Sequence, residues 1–393
     1  SRDYVPCADG KGQKADEVYG RMLKKPAPER LKLLRNAEGP QGRFLWAILR
    51  NSFHYAALHL ATIADCARDV DQAMRWGFGM QQGPFELWQE AGWLEVAQMV
   101  QADIDAGLAL CRTPLPDWVF NGPVAARGGV HQPEGSWNPS LGQFQPRREL
   151  PVYGRQLFRE TLLGEGAQTF HSAGQTVYED ADIRLWTLEQ GDVAGVLIAS
   201  IKSKMHAIGP GVTEGLSRAV DLAEAGYQGL VIWSGDEPFS VGADLQAVMP
   251  AFLAAGVAAI EDVEAELQRV MLKLRYAQVP VVAAVRGMAL GGGCELLLHC
   301  AHRVVHLESY IGLVEVGVGL IPGAGGLTYI ARRAAENARA STGTDMLPFL
   351  SEGFKAAAMA SVGTSALESR KLGYLLPSDT IVAHKDELLY VAI

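Results

Sequence analysis

Two glutamates in this chain stand inside glycine-rich turns, where a carboxyl group is uncommon and chemically useful. Glu295 lies in Gly287-Met288-Ala289-Leu290-Gly291-Gly292-Gly293-Cys294-Glu295-Leu296, and Glu315 opens Glu315-Val316-Gly317-Val318-Gly319-Leu320-Ile321-Pro322-Gly323-Ala324-Gly325-Gly326. The apolar and glycine neighbours of Glu315 point to burial and a perturbed carboxyl group. Three consecutive glycines at a helix start expose unpaired N–H groups and the positive end of the helix dipole, so Gly291 to Gly293 suit an anion or an oxyanion. A glutamate in a first helical turn also simply stabilises the dipole, and both readings of Glu295 stay open here. A third turn, Phe239-Ser240-Val241-Gly242-Ala243-Asp244-Leu245, follows an apolar strand. Its Gly-Ala pair lets a ligand approach a free backbone N–H, although such pairs also occur in ordinary turns. The glycine spacing is neither that of a dinucleotide fingerprint nor that of a phosphate loop. No cluster with metal-ligand spacing is read, so no metal is expected.

The hydrophobic pattern supplies the elements that must position these turns. Ile183 to Leu188 and Val193 to Ile201 read as strands, Val212 to Ala225 as a helix, Gly229 to Ser234 as a buried strand. Ala258 to Tyr276 reads as a long helix with Ile260, Val263, Leu267, Val270 and Leu274 on one face, and Val279 to Val285 as another buried strand. Strands alternating with helices give an α/β layout with crossover connections over residues 176–393. The first 110 residues read as helical instead. Phe44 to Ala67 spaces Leu45, Ile48, Leu49, Ala56, Leu60 and Ile63 mostly by three and four. Asp69 is placed as the N-cap of a short helix from Val70 to Trp76, and Gly83-Pro84 turns the chain before another helix from Phe85. Seven of the 19 prolines fall in residues 112–151, so 111–175 is expected to be an extended connector on the surface.

Composition narrows the function classes. A chain of 393 residues with 48% hydrophobic and 20% charged residues has the material for two or three domains. A net charge of −9 disfavours broad binding to nucleic acid or anionic membrane. The most apolar stretch, Val281 to Ala301, contains Arg286 and Glu295 and is no membrane span. Five scattered cysteines (Cys7, Cys66, Cys111, Cys294, Cys300) read as free thiols of a reduced compartment, the cytoplasm. The chain opens at Ser1 without a signal core and reads as a fragment of a longer polypeptide.

Taken together and in this order, the Gly-Ala-Asp, Gly-Gly-Gly-Cys-Glu and Glu…Ile-Pro-Gly-Ala-Gly-Gly motifs resemble the crotonase (enoyl-CoA hydratase/isomerase) superfamily over residues 180–385. The resemblance implies a crotonase-type ββα spiral. It puts an oxyanion hole on the N–H groups of Ala243 and Gly292 and catalytic carboxyls on Glu295 and Glu315. Carbonyl contacts to the adenine of CoA fall near Ala207, Ala243 and Leu245. Lys204-Met205-His206-Ala207-Ile208 is similar to the family's Asn-Ala-Leu turn, with His206 in place of asparagine, and His206 is taken as a turn residue. The implied reaction is reversible hydration of trans-2-enoyl-CoA without a cofactor. Glutamate at both positions favours it over double-bond migration, for which one acid/base suffices. An enoyl-CoA isomerase and a non-catalytic CoA-binding or docking module are the alternatives. The segment Ala335 to Phe354 is longer than the usual family connection.

The helical part carries a second resemblance. Asp69 to Gly79 with Gly83-Pro84-Phe85-Glu86-Leu87 is similar to the C-terminal helical domain of 3-hydroxyacyl-CoA dehydrogenases, over about residues 40–110. Joined to a hydratase domain, it resembles the bifunctional proteins of fatty-acid β-oxidation. That family's NAD-binding domain would have to precede it, and the first 40 residues do not form a βαβ unit, so NAD is expected only in a longer protein. His54 and His59 are read as packing residues. The resemblance further implies helices after Ile393 that cover the acyl-CoA and support trimer packing; a trimer-type homo-oligomer, or docking to the missing dehydrogenase domain, is the expected assembly.

Overall fold

The computed structural model describes residues 14–166, 169–188, 193–341 and 345–393. They form two compact units: residues 14–149 with 160–166, and residues 150–159 with those from 169 onward.

Unit 1 is built on helices α1 (Lys14–Leu23), α2 (Ala27–Arg35), α3 (Pro40–Ile63), α4 (Ala67–Phe78) and α5 (Pro84–Asp105). Trp46, Arg50, Phe53, Ala57 and Leu60 recur along α3 at helical spacing and are buried. They meet Leu31 and Leu34 of α2 and Phe85, Trp88, Val96 and Val100 of α5. The short helix expected from Val70 begins a turn earlier. Cys66 is its N-cap, and Asp69 sits at the third helical position, where its carboxylate accepts from the Cys66 N–H at 3.1 Å.

The expectation of a surface connector over 111–175 is corrected. Helices α6 (Asp117–Phe120) and α7 (Pro123–Arg127) are followed by a three-stranded antiparallel sheet of β1 (His131–Gln132), β2 (Gly135–Asn138) and β3 (Gln143–Gln145). Leu115, Val119, Val124, Val130 and Trp137 are buried in the unit 1 core. The prolines do not oppose this packing. Pro116 precedes α6 and Pro123 begins α7, positions where a missing N–H removes no helical bond.

Unit 2 is an α/β layer structure. In chain order it has β4 (Gln175–Glu179), β5 (Ile183–Thr187), β6 (Val196–Ile201), α8 (Pro210–Gly226), β7 (Gly229–Ile232), α9 (Leu245–Ala255), α10 (Val257–Arg275), β8 (Val281–Leu290), α11 (Gly292–His299) and β9 (His302–Gly312). Helices α12 (Gly326–Ala340), α13 (Leu347–Ala358) and α14 (Ala366–Lys371), strand β10 (Thr380–Val382) and helix α15 (Leu388–Ala392) complete it. The seven strands lie in the order β10-β9-β8-β7-β6-β5-β4. Pairing is parallel from β6 to β10 and antiparallel across β4, β5 and β6. Ile183 and Leu185 enter the core under α8 and α10, while the alternating Trp186 packs on the opposite face with Trp233 and Leu389. The long segment noted between Ala335 and Phe354 spans the end of α12 and most of α13; residues 342–344 and Cys7 lie outside the described residues. Among the described residues, no helix is long and apolar enough to cross a membrane. The same residues hold Cys66, Cys111, Cys294 and Cys300 as free thiols.

Candidate active site

The strand expected to stop at Val285 continues to Leu290, which moves the glycine run into a strand-to-helix corner. A register shift against β9 between Val285 and Gly287 carries the last four residues of β8 onto Ser309 to Gly312. The 239–240 segment runs beside this extension: Phe239 N–H donates to Arg286 O at 3.0 Å, Ser240 N–H to Met288 O at 3.1 Å, and Leu290 N–H to Ser240 O at 3.0 Å. The next residues pair instead with Ile208, whose N–H donates to Gly242 O at 2.7 Å and whose carbonyl accepts from Asp244 N–H at 3.0 Å. Asp244 then caps α9, its carboxylate accepting from the amides of Gln246 and Ala247.

Between these ladders one amide is left over on each side. Among the described residues, the N–H groups of Ala243 and Gly292 donate to no protein acceptor. They lie close together at the corner: a Cβ built on Gly292 would stand 3.4 Å from the Ala243 nitrogen. Gly242 has φ +95°, and a Cβ there would meet Leu290 O at 2.8 Å and the Gly292 nitrogen at 2.9 Å, so only glycine lets the two amides converge. Gly292 is the first residue of α11, with Gly291 as its N-cap, which adds the helix dipole to one donor.

Both predicted glutamates reach this corner. Glu295 lies in the first turn of α11 and is 2% exposed; its Oε1 accepts from Gly326 N–H at 2.8 Å. Burial pushes its pKa up to about 7, opposed by the Gly326 N–H and reinforced by the nearby Glu315 and Glu264 carboxyls. Glu315 begins a 3₁₀ turn, Glu315–Val318, and its Oε1 would stand 3.4 Å from a Cβ on Gly291. It is half-buried, and neither carboxylate oxygen has a hydrogen-bond partner of normal geometry among the described residues. Burial raises its pKa more than the amides of Val314 and Glu315 itself lower it. Glu264 on α10 is a third carboxyl in the neighbourhood, also raised by burial.

Two neighbouring amides without protein acceptors and two carboxyls desolvated by burial beside them can polarise a carbonyl and move protons next to it. Ala207 is drawn alongside Ala243 by the Ile208 ladder, and Leu245 is 43% exposed at the start of α9. The Ala207 carbonyl already accepts from the Ser203 hydroxyl at 2.7 Å, and the Ala243 carbonyl from Leu245 N–H at 3.0 Å. His206 is buried, with Nδ1 donating to Pro238 O, so it is a packed turn residue. The Gly326 amide was not singled out as a site group by the sequence reading. Its signal lay in the Gly-Ala-Gly-Gly run, but nothing local shows that this run folds back onto Glu295. No group of three His, Cys, Asp or Glu among the described residues is arranged to hold a metal ion. The described strands of unit 1 are short and antiparallel, so they offer no βαβ cradle for a dinucleotide, and no step is assigned to NAD.

Residues 192–345, which include both glutamates and both unpaired amides, match the family described as Enoyl-CoA hydratase/isomerase. A Bacillus subtilis (strain 168) protein named "Probable 3-hydroxyacyl-CoA dehydrogenase" is 30% identical over 372 residues, covering 92% of this chain and 43% of that protein. The peroxisomal bifunctional enzyme of Cavia porcellus is 38% identical over 133 residues, 33% of this chain and 17% of that enzyme. The crystal structure of enoyl-CoA hydratase from Bacillus anthracis superposes with a TM-score of 0.41 at 22% identity, covering 51% of this chain and 70% of that one. The chain therefore spans less than half the length of these curated relatives.

Proposed function

We propose that this chain, with its enoyl-CoA hydratase/isomerase domain over residues 192–345, adds water reversibly to trans-2-enoyl-CoA thioesters to give 3-hydroxyacyl-CoA. The observation that carries this reading is the pair of desolvated carboxyls, Glu295 and Glu315, beside two neighbouring amides without protein acceptors. The thioester oxygen accepts from Ala243 and Gly292 N–H, and each such donor is typically worth about 3 kcal/mol to the developing oxyanion. Conjugation carries the polarisation to the β-carbon. One carboxylate takes a proton from water as the water oxygen bonds to the β-carbon, and the other, protonated, delivers its proton to the α-carbon. The raised pKa values suit this division, because burial favours the protonated form of each carboxyl and brings Glu295 to about 7. The backbone strip around Ala207, Ala243 and Leu245 is assigned to the adenine of CoA. Hydration so drawn uses no cofactor. The resemblance of unit 1 to the helical domain of 3-hydroxyacyl-CoA dehydrogenases supports reading the chain as part of a bifunctional protein of fatty-acid oxidation, with NAD assigned to a dehydrogenase domain of that protein. A homo-oligomer of trimer type, or docking to that dehydrogenase part, is the corresponding assembly.

The test follows the enoyl-thioester absorbance of crotonyl-CoA, with 3-enoyl-CoA assayed beside it. Loss of the absorbance that falls by about 10³-fold in Glu295→Gln is the expected result. Faster turnover of 3-enoyl-CoA would convert the reading to an isomerase, and tight acyl-CoA binding without turnover to a binding module.

A further inference from the structure

Helix α11 carries a second polar side chain one turn beyond Glu295. His299 is 5% exposed, and its Nδ1 lies 2.7 Å from the backbone oxygen of Glu295. A carbonyl only accepts, so Nδ1 carries the proton. Burial lowers the pKa of the ring, and Arg275 lowers it further, so the imidazole is neutral and its other nitrogen is bare. That edge of the ring lies against Gly325, where a Cβ would stand 2.7 Å from His299 Cε1 and 2.8 Å from Nε2. Gly325 has φ +107° and is the N-cap of α12, and the residue after it, Gly326, supplies the N–H that holds Glu295 Oε1.

These contacts close a ring: Glu295 backbone oxygen to His299, His299 to the Gly325 turn, and Gly326 N–H back to the Glu295 carboxyl. From the other side of the same loop, Gln268 on α10 donates to Gly323 O at 2.7 Å. We propose that His299 is a positioning residue, whose ring seats the Gly325–Gly326 turn so that the Glu295 carboxyl is held in one orientation beside the oxyanion corner. A histidine suits the task because its N–H anchors the ring to the very residue whose side chain the turn must meet, which an aliphatic side chain of similar size cannot do. The kinetic part of the test rests on the hydratase reading; the spectroscopic part does not.

The experiment labels the glutamate carboxyl carbons of the full chain with ¹³C and follows Glu295 by NMR against pH, assigning its signal by its absence in Glu295→Gln. Groups facing Glu295 from the elements around it are Glu315 on the 3₁₀ turn, Glu264 on α10 and Cys294 on its own helix, so all spectra are taken with these intact. In His299→Ala the Gly326 N–H is no longer seated, and the Glu295 midpoint is expected to rise by about half a pH unit or more. With substrate, kcat should fall about 10- to 100-fold while KM changes less than about threefold, because the amides that bind the thioester stand apart from the turn. An unchanged midpoint in folded His299→Ala overturns the proposal, whatever the activity. His299→Phe keeps the ring volume and removes only the anchoring N–H: a raised midpoint supports positioning, and an unchanged one overturns it. Failure of both variants to fold also overturns it, by making the residue one of core packing. A wild-type chain that hydrates no enoyl thioester sinks the functional reading alone, since the titration needs no substrate.

Discussion

In unit 1 the carboxylate of Asp103 accepts from Trp46, Arg35 and Arg50, and that of Glu165 from Arg68, Arg147 and the Leu162 N–H. Asp71 accepts from the amides of Phe85 and Glu86 at the start of α5 and from His131, which is itself bonded to Ser136. In unit 2 Asp379 is buried in the same way, accepting from Arg303 and the Leu376 N–H, but Glu295 has the Gly326 N–H on one oxygen and, among the described residues, Glu315 has no well-formed bond. Both units bury acids among donors, and the two glutamates of the corner stand apart from that pattern. Burial raises the pKa of Glu165, but its arginines and the Leu162 amide outweigh that and leave it lowered, whereas nothing comparable offsets the burial of Glu295. The Asp71-His131-Ser136 chain has the residue types of a nucleophilic triad, but all three side chains are fully buried and its acid is committed to capping α5. Donors around a buried acid mark structure; their shortage, next to unpaired amides, marks chemistry.

The contrast breaks most sharply in activity. Glu315→Gln should lower crotonyl-CoA hydration by about 10³-fold without lowering the unfolding temperature, because the amide removes a charge that burial disfavours. Asp103→Ala should do the reverse: a loss of about 3–5 kcal/mol in the unfolding of unit 1, with hydration per folded molecule unchanged, since the buried Arg50 and the Trp46 N–H lose their partner. Equal rate losses in both variants would erase the distinction. Gly242→Ala comes next. Its Cβ would press on the Gly292 nitrogen and Leu290 O, so kcat should drop about 10²-fold, the usual effect of losing one oxyanion donor.

The smallest effect is on stability against pH. Glu295 has a folded pKa of about 7, above its ordinary value of 4.5. A raised carboxyl contributes its stability in full below the unfolded value and loses it as pH rises through the folded one. Glu295→Gln should therefore match wild type near pH 4 and exceed it above pH 8, by about 2–3 kcal/mol in denaturant unfolding. A difference that shrinks as pH rises would reverse the sign and show Glu295 to be stabilised as an anion.

Much of the site was legible because its parts are local. Gly242 and Gly291 take positive φ, a conformation local to the chain that favours glycine, and a glutamate in a first helical turn is visible as such in the sequence. Strands β5, β6 and β7 and helices α8 and α10 were also readable, within a few residues, from their apolar spacing, whereas β4, α9, β9 and β10 were not singled out. Residues 111–149 were misread because proline content reports only on missing N–H groups, and at the starts of α6 and α7 none was needed. The helix at Asp69 was started late because a capping box puts its acid three residues inside the helix. His299 and Gly326 drew no attention, since their contacts join a helix to a turn some thirty residues later.

By itself the sequence determined the α/β repeat of unit 2, the helices of unit 1, and which residues have backbones and side chains fit to serve an oxyanion and a proton transfer. The tertiary structure alone decided that the Ala243 and Gly292 amides lie close together, that Gly326 holds Glu295, and that burial raises both carboxyls. The division has a physical cause. Backbone conformation is set by neighbours along the chain, whereas desolvation and charge coupling depend on what the fold brings within a few ångströms.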